Sequence, residues 1–288
     1  YMDSFYLTLF NILKFLTKIT PSFILNFFVN CLSYLISLSN NKHRRVAELN
    51  LDLAFSQKKT KKEKKEIIKN AYKNLLWMLI DFIRNQGTTK QDILSKVDFI
   101  NSEYIENALK EKRKIVFITA HYGNWELIPL SIASKFSPLS VVGRDLDSKV
   151  MNEILTKNRV QFDVELLSKK GAMKGMISSL LKSRPVGILV DQNTNDNEGV
   201  IVDFFGEKVR HTPSAALLAK KFNAIIIPVF MNRNSDNKYE LTFYEPFEFE
   251  NTGNKEDAEE ITQDVFVKIF KTRSSFNNKS KIETWIYR

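Results

Sequence analysis

The pattern of hydrophobic and polar positions divides the chain into three parts. Residues 5–38 are almost continuously apolar and are interrupted by Pro21. Residues 42–86 carry apolar positions three or four residues apart, which predicts amphipathic helices. After Gly87, short β-rich runs alternate with helical segments. This alternation predicts an α/β fold in which helices cover the faces of a sheet.

The individual elements follow from the same pattern. Runs rich in β-branched residues predict strands at 115–119, 139–142, 186–190, 224–230 and 239–244. The segments between them predict helices at 102–112, 125–135, 148–159, 172–183 and 213–222. Thr212 followed by Pro213 suits the N-cap and first turn of the last helix.

The apolar N-terminal part predicts membrane association. Each half around Pro21 is about 15 residues long, or roughly 23 Å of helix, which is shorter than a hydrocarbon core of about 30 Å. The second half carries one narrow polar stripe, formed by Asn26, Asn30, Ser33 and Ser37. We therefore expect a kinked span or two membrane-embedded helices. A buried core hairpin is the alternative.

The positive charge of the chain is concentrated in one segment. The net charge is +10, and residues 42–73 supply +7 of it, with 11 Lys and Arg against 4 Asp and Glu. Such a basic block favours an anionic membrane, phosphorylated substrates or nucleic acid. A solvated lysine-rich helix explains the charge equally well. The single Cys31 excludes an intramolecular disulfide.

One strand end carries candidate chemistry. The apolar run at 115–119 leads to His121, and a Gly-Asn turn and Glu126 follow. Sites in open α/β sheets lie at the carboxyl ends of strands, so we expect His121 to act as a general base. Glu126, in the first helical turn, would point back and fix the imidazole tautomer, with Asn124 as the N-cap. A histidine satisfied beside a helix cap is the alternative.

A second strand, 186–190, delivers Asp191 and Gln192 to the same kind of edge. If the two strands are neighbours, these side chains share one cleft with His121. An ordinary strand-end turn is the alternative. Since no serine or cysteine is obviously paired with the histidine, the nucleophile is better sought in a substrate hydroxyl, which indicates a transferase.

These residues resemble a known family. His-Tyr-Gly-Asn-Trp-Glu at 121–126 is similar to the His-x-x-x-x-Asp/Glu block of the glycerolipid acyltransferase superfamily. The wider pattern resembles the lipid A biosynthesis (lauroyl/myristoyl) acyltransferase family over residues 5 to about 248. The other matching blocks lie at 44–55, 186–192, 202–206, 212–219 and 226–230. The histidine block alone is moderately specific, whereas all blocks in this order are highly specific.

The resemblance implies a mixed sheet of the glycerolipid-acyltransferase type and a membrane-associated enzyme. It would work at the cytoplasmic face of a Gram-negative inner membrane, in lipopolysaccharide biosynthesis. It would move a fatty acyl chain from acyl carrier protein to a hydroxyl of a lipid A precursor, with no metal or cofactor. Its basic residues in 42–73 would meet the anionic membrane surface or the acidic carrier protein.

The resemblance also implies roles for individual residues. His121 and Glu126 would be catalytic. Substrate contacts would come from Asn124, Arg144, Arg159, Asp191, Gln192, Phe205 and Gly206. The two arginines would hold phosphates or the developing oxyanion, unless they are ordinary surface charges. The Phe-Phe-Gly segment would form an apolar loop near the acyl chain, unless it only packs in the core.

The C-terminal part departs from the family pattern. Residues 253–288 lack the expected Pro-Glu-Gln-Trp-like ending and resemble a fragment of an extracytoplasmic-function sigma factor. We therefore expect a fusion near 248–260, with a divergent amphipathic native tail as the alternative. The predicted domains are membrane-associated helices at 1–40, an acyltransferase domain at 41–250 and a helical tail at 251–288.

Other functions are weighed against this interpretation. An acyltransferase acting on another glycolipid is the nearest. A nucleic-acid-binding transcription protein would explain the tail and the basic charge, but the apolar first 38 residues argue against it, and we expect no functional nucleic-acid partner. A metal hydrolase would use His121, Glu126, Asp191 and His211, which lack the spacing of a zinc motif.

Overall fold

A computed structural model describes residues 2–39, 41–192, 194, 199–234 and 238–248. The described residues form two compact units, 2–88 with 146–158 and 89–145 with 159–248. The predicted sigma-like tail lies outside the described residues, so its origin stays a prediction.

The first unit is helical. It contains α1 (Met2–Ile19), α2 (Ser22–Ser39), α3 (Asn41–Phe55), α4 (Lys61–Asn85) and all but the last residue of α8 (Lys149–Arg159). Helix α4 begins at a capping box, in which Thr60 and Glu63 each bond the other's backbone N–H. The backbone N–H and the hydroxyl of Thr60, together with Lys59, donate to the Glu63 carboxylate and lower its pKa to about 2.

Helix α2 has one covered face and one bare face. Leu25, Val29 and Ser33 are buried, and the first two cluster with Trp77 of α4. Phe23 and Phe27 point outward and are 73% and 65% exposed. The predicted polar stripe therefore lies partly on the covered face, where the Ser33 hydroxyl donates to the Asn30 carbonyl at 2.9 Å. Among the described helices, α2 alone is long and apolar enough to cross a membrane.

The second unit is built on a seven-stranded mixed sheet. In spatial order the strands are β1 (Val97–Ile100), β9 (Tyr239–Phe243), β8 (Ile225–Arg233), β2 (Ile115–Thr119), β5 (Val186–Leu189), β3 (Leu139–Gly143) and β4 (Val164–Ser168). The five strands from β8 to β4 are parallel, and β9 runs antiparallel to β8. A separate hairpin pairs β6 (Val200–Phe204) with β7 (Glu207–His211). All five predicted strands are present.

Helices flank this sheet, as predicted. They are α5 (Lys90–Leu94), α6 (Glu103–Lys110), α7 (Ile128–Lys135), α9 (Ala172–Leu181) and α10 (Ser214–Phe222). In the central strand β2, Ile115 and Phe117 join the core cluster that contains α7. The alternate residues Val116 and Ile118 are also fully buried, because β2 is covered on both faces. A sheet buried in this way leaves its carboxyl edge as the place where polar side chains emerge.

Candidate active site

Two neighbouring strands bring His121 and Asp191 together. Strand β2 pairs with β5 in parallel, and Thr119 stands opposite Leu189. His121 and Asp191, each two residues further along, therefore lie at the same level beyond the carboxyl edge of the sheet. There the Asp191 Oδ1 lies 2.8 Å from the His121 Nδ1, and its Oδ2 accepts from the His121 backbone N–H at 2.9 Å. The two strand ends therefore bring these side chains together, as expected for neighbouring strands.

Two further side chains surround the imidazole. The Gln192 amide nitrogen lies 3.3 Å from the His121 Nε2 and 3.4 Å from its Nδ1. The Trp125 ring meets the imidazole edge to face, with centroids 5.1 Å apart. The ring is thus held on several sides while its side chain stays 18% exposed, which suits a base that must meet a substrate.

Gly123 lets the histidine loop approach strand β8. Its φ of +60° lies in the left-handed region, and a Cβ at this position would stand 1.7 Å from the Met231 carbonyl oxygen. The next residue, Asn124, is buried and donates its backbone N–H to that oxygen at 3.2 Å. Glycine is therefore required here both by conformation and by space. Asn124 precedes a 3₁₀ turn (Trp125–Leu127), but its side chain makes no capping bond.

Glu126 is engaged with Arg159 in this structure. The Arg159 Nε donates to the Glu126 Oε2 at 2.9 Å, and its second nitrogen contacts Oε1. Both side chains are mostly buried. The carboxylate at the His121 ring is thus Asp191, where the sequence predicted Glu126. A forked guanidinium satisfies both carboxylate oxygens at once, which a single imidazole nitrogen cannot do. The catalytic role of Glu126 stays a prediction.

Arg159 also depends on a glycine. Gly143 ends β3, and a Cβ there would lie 3.1 Å from an Arg159 terminal nitrogen and 2.6 Å from the Leu166 side chain. The guanidinium therefore lies across the carboxyl end of β3, where a side chain would displace it. Of the two predicted arginines, this one reaches the site. Arg144 is exposed and has no hydrogen bond or ion pair within the described residues.

An apolar cavity opens beside these charged groups. It has a volume of about 70 Å³ and lies over β2, β3 and β5. Its walls include Phe117, Ile132, Val141, Leu166 and Leu189, together with Trp125, Glu126 and Arg159. An apolar chamber with a few polar groups at one side is the usual form of a small-molecule site.

The remaining predicted residues lie around the hairpin and its base. Phe205 and Gly206 form the turn between β6 and β7, with φ of +53° and +85°. The Phe205 ring packs against Phe204 at 4.6 Å. Their place near an acyl chain stays a prediction. The Thr212 hydroxyl accepts from the Ser214 backbone at 3.3 Å, so α10 begins one residue later than predicted.

His211 links the hairpin to the strand that carries Asp191. It ends β7, is 2% exposed, and its Nε2 contacts the carbonyl oxygen of Val190. Burial lowers its pKa, although hydrogen bonds to the Val190 and Thr212 backbone oppose the shift. Within the described residues, no three His, Cys, Asp or Glu side chains form a group that could hold a metal ion.

The sequence did not predict three features that shape the site. Trp125 against the imidazole, Gly143 beneath Arg159 and the Met231 carbonyl beneath Gly123 depend on which strands are neighbours. Only Trp125 carried a local signal, because it lies inside the histidine block. The other two follow from the strand order, which the hydrophobic pattern does not specify.

Fold and site together define a class of protein. It is an α/β protein with a mixed seven-stranded sheet flanked by helices and a histidine–aspartate pair at the carboxyl edge of that sheet. The profile of the bacterial lipid A biosynthesis acyltransferases matches residues 2–272, and the chain belongs to this family. The match continues past the predicted fusion point at 248–260.

Individual relatives agree with the family. The chain is 22% identical to a lipid A biosynthesis acyltransferase of Haemophilus influenzae over 70% of its own length and 64% of the relative's. It is 21% identical to the lipid A biosynthesis myristoyltransferase of Escherichia coli, over 65% and 58%. A phosphatidylinositol mannoside acyltransferase of Mycolicibacterium smegmatis is 25% identical over 46% and 45%. The chain thus spans between 45% and 64% of these three relatives.

Proposed function

We propose that this protein transfers a fatty acyl chain from acyl carrier protein to a hydroxyl of a lipid A precursor, as the late step of lipopolysaccharide assembly. The observation that supports this most is the partly exposed His121 imidazole, held by Asp191 beside an apolar cavity. Membership in the acyltransferase family supports the class of reaction. The acyl donor and the acceptor are the proposed part.

The chemistry needs one base and one acid, which the same histidine supplies. His121 Nε2 takes the proton of the acceptor hydroxyl while that oxygen attacks the thioester carbonyl carbon. The tetrahedral oxyanion collapses, the carbon–sulfur bond breaks, and the departing thiolate takes the proton back from the imidazolium. An ester and a free carrier thiol result. No metal ion is needed for this sequence.

We infer that this cavity, with a volume of about 70 Å³, receives the few methylene groups of the acyl chain next to the thioester. Its walls are apolar, so alkyl burial stabilises the bound chain by about 0.8 kcal/mol per methylene. Arg159 lies in the same wall and has N–H groups beyond the two used by Glu126. We infer that these groups stabilise the oxyanion. Asn124, Gln192 and the Phe205–Gly206 turn are kept as proposed substrate contacts.

The helical unit suits the cytoplasmic face of an inner membrane. Exposed aromatic and aliphatic residues cover the outer faces of α1 and α2. Helix α2 places Val29 near Trp77 and Ile36 near Ile68 of α4, so the two helices are antiparallel. The lysines at 58–65 therefore lie beyond the C-terminal end of α2. Basic residues at the end of an apolar helix favour anionic lipid and a cytoplasmic position.

A second acceptor is supported by a specific observation. Phosphatidylinositol mannoside acyltransferases of two mycobacteria are among the relatives, at 25% and 24% identity. A glycolipid with a mannose hydroxyl would meet the same histidine by the same chemistry. The acceptor assay must therefore include such a lipid.

The test is acyl transfer in detergent micelles. The whole chain is incubated with acyl–acyl carrier protein and a Kdo-bearing lipid A precursor, and the acceptor mass is followed. We expect a gain of one acyl chain that is lost in His121→Ala. His43→Ala is the matched control, because His43 lies exposed on α3, and it should retain the activity.

Parallel reactions separate the alternatives. Acyl-coenzyme A in place of the carrier protein tests the donor, and a phosphatidylinositol mannoside tests the acceptor. Acylation of the mannoside alone would replace the lipid A proposal by the second candidate. Absence of transfer to either acceptor from either donor would refute the proposed function. Flotation with anionic and neutral vesicles tests the membrane surface, and we expect stronger binding to anionic ones.

A further inference from the structure

We propose that Asp191, and not Glu126, is the carboxylate that positions the His121 imidazole, while Glu126 holds Arg159 in the cavity wall. The kinetic consequence of this division rests on the proposed acyl transfer. Its structural consequence is a choice of histidine tautomer, which can be measured without any substrate. Asp191 is thus a positioning residue that acts through His121.

Asp191 fixes the position of the imidazole proton. Its side chain is 10% exposed, and its two oxygens meet the Nδ1 and the backbone N–H of His121 at 2.8 and 2.9 Å. An ionised carboxylate can only accept hydrogen bonds, so Nδ1 must carry the proton and Nε2 must keep its lone pair. The Gln192 amide nitrogen is almost equally far from both ring nitrogens, 3.3 Å from Nε2 and 3.4 Å from Nδ1, so it lies over the ring and not in line with the Nε2 lone pair.

Glu126 is committed elsewhere. Both of its oxygens meet Arg159, and the two side chains are only 14% and 21% exposed. Turning Glu126 towards the imidazole would leave a mostly buried guanidinium without its partner, which is costly. The carboxylate of the histidine block therefore serves the arginine, and the carboxylate of the neighbouring strand serves the histidine.

An amide at position 191 makes the argument testable. In Asp191→Asn, the backbone N–H of His121 is a fixed donor, so the asparagine oxygen must stay opposite it. The asparagine NH₂ then faces Nδ1 and can only donate to it. The imidazole proton is forced onto Nε2, the nitrogen that must act as the base. Glu126→Gln makes no such demand on the ring.

The direct measurement is ¹⁵N NMR of histidine-labelled protein in detergent, at an alkaline pH where neutral imidazoles dominate. The chain has only three histidines, and the His121 signals are identified by their loss in His121→Gln. We expect a protonated Nδ1 in the parent protein and in Glu126→Gln. We expect a protonated Nε2 in Asp191→Asn. Asp203→Asn, which changes an exposed carboxylate paired with Lys208, is the matched control and should resemble the parent.

The kinetic arm separates positioning from folding. Asp191→Asn should lower kcat by about 10³- to 10⁴-fold with little change in KM, the scale seen when a catalytic histidine is held in the wrong tautomer. Asp191→Glu keeps an acceptor and should recover part of kcat. Thermal unfolding of each variant shows whether it is folded.

Several results would overturn the proposal. A tautomer change in Glu126→Gln would do so, and so would an unchanged tautomer in folded Asp191→Asn. If Asp191→Asn does not fold, the tautomers of Asp191→Glu and Glu126→Gln decide, and both should match the parent. If the parent transfers no acyl group, the proposed function has failed while the tautomer measurement still decides this inference.

Discussion

The carboxyl edge and the amino edge of the main sheet carry similar polar side chains but differ in their surroundings. At the carboxyl edge, His121, Asp191, Glu126 and Arg159 lie beside a cavity. At the amino edge, Arg184 donates to the Ser140 hydroxyl at 3.1 Å and to the Leu139 carbonyl at 3.3 Å. The fully buried Ser140 completes that network through Glu165 at 2.6 Å. The first edge holds a partly exposed imidazole beside a cavity, whereas the polar groups at the second edge bond to one another.

A network of charged and polar side chains at a sheet edge is therefore not by itself an active site. What distinguishes the carboxyl edge is a titratable ring that remains partly exposed beside an apolar space. Substitutions at the carboxyl edge should therefore remove activity, and substitutions at the amino edge should remove stability.

Among the substitutions that test this contrast between the two edges, Gly123→Ala should have the largest effect. In Gly123→Ala the added Cβ would overlap the Met231 carbonyl oxygen, so the histidine loop must leave β8. We expect acyl transfer to fall by more than about 100-fold, since displacing a catalytic group by about 1 Å costs that much. Gly171→Ala is the control, because a Cβ there meets no atom within 4 Å although φ is also positive. Equal losses in both variants would contradict the close-approach argument.

Arg159→Lys should have the next largest effect. The lysine keeps the charge but cannot bind both oxygens of Glu126, so the wall of the cavity loses its fixed geometry. We expect kcat/KM to fall by about 10²-fold, the scale of one lost oxyanion donor, with only a small change in Tm. Arg144→Lys, at an exposed position, serves as the comparison. Unchanged kinetics in Arg159→Lys would remove the arginine from the site.

Arg184→Ala should reverse the pattern. It removes the donor to the Leu139 carbonyl and one of the two donors to buried Ser140, whose oxygen still accepts from the Ser179 hydroxyl, and an unpaired buried acceptor costs about 1–3 kcal/mol. We expect Tm to fall by about 2–4 °C per kcal/mol while kcat stays unchanged. Thermal unfolding and the transfer assay on the same sample check both parts. A large loss of kcat in a folded variant would contradict the contrast between the edges.

The smallest effect concerns His211, a titrating group at the carboxyl edge that serves stability. Its folded pKa is lowered by burial, so below about pH 6.5 the unfolded chain takes up a proton that the folded chain does not. Stability is therefore present above that pH and is lost as pH falls, by at most about 1.4 kcal/mol per pH unit. Tm should fall less between pH 7.5 and 5.5 in His211→Gln than in the parent. An identical fall would exclude this contribution.

The sequence predicted the central strands of the sheet better than its outer strands. Strand β2 reads Ile-Val-Phe-Ile-Thr because both of its faces are buried, so its apolar run is unmistakable. The edge strands β1 and β4 were missed because each alternates buried and exposed residues over only four or five positions. The hairpin β6–β7 was also missed, because its second strand reads Glu-Lys-Val-Arg-His and is mostly charged.

The candidate site shows where such prediction ends. Asp191 and His121 were predicted to meet if their strands were neighbours, and the register of β2 and β5 brings them together. The partner of Glu126 could not be read from spacing, because Arg159 lies 33 residues away at the end of another helix. Sequence spacing indicated the imidazole of His121 as the partner of Glu126. In the structure Glu126 pairs with the guanidinium of Arg159, which contacts both carboxylate oxygens.

The bare face of α2 has a practical consequence. Cys31 lies exposed on this helix and is the single cysteine of the chain. A spin label attached to its thiol would report the local environment without any engineered residue. Its relaxation by dissolved oxygen, compared with that by a water-soluble nickel chelate, would measure how deeply the middle of α2 is immersed in a bilayer. The chain therefore carries its own reporter for distinguishing a traversing helix from one lying flat.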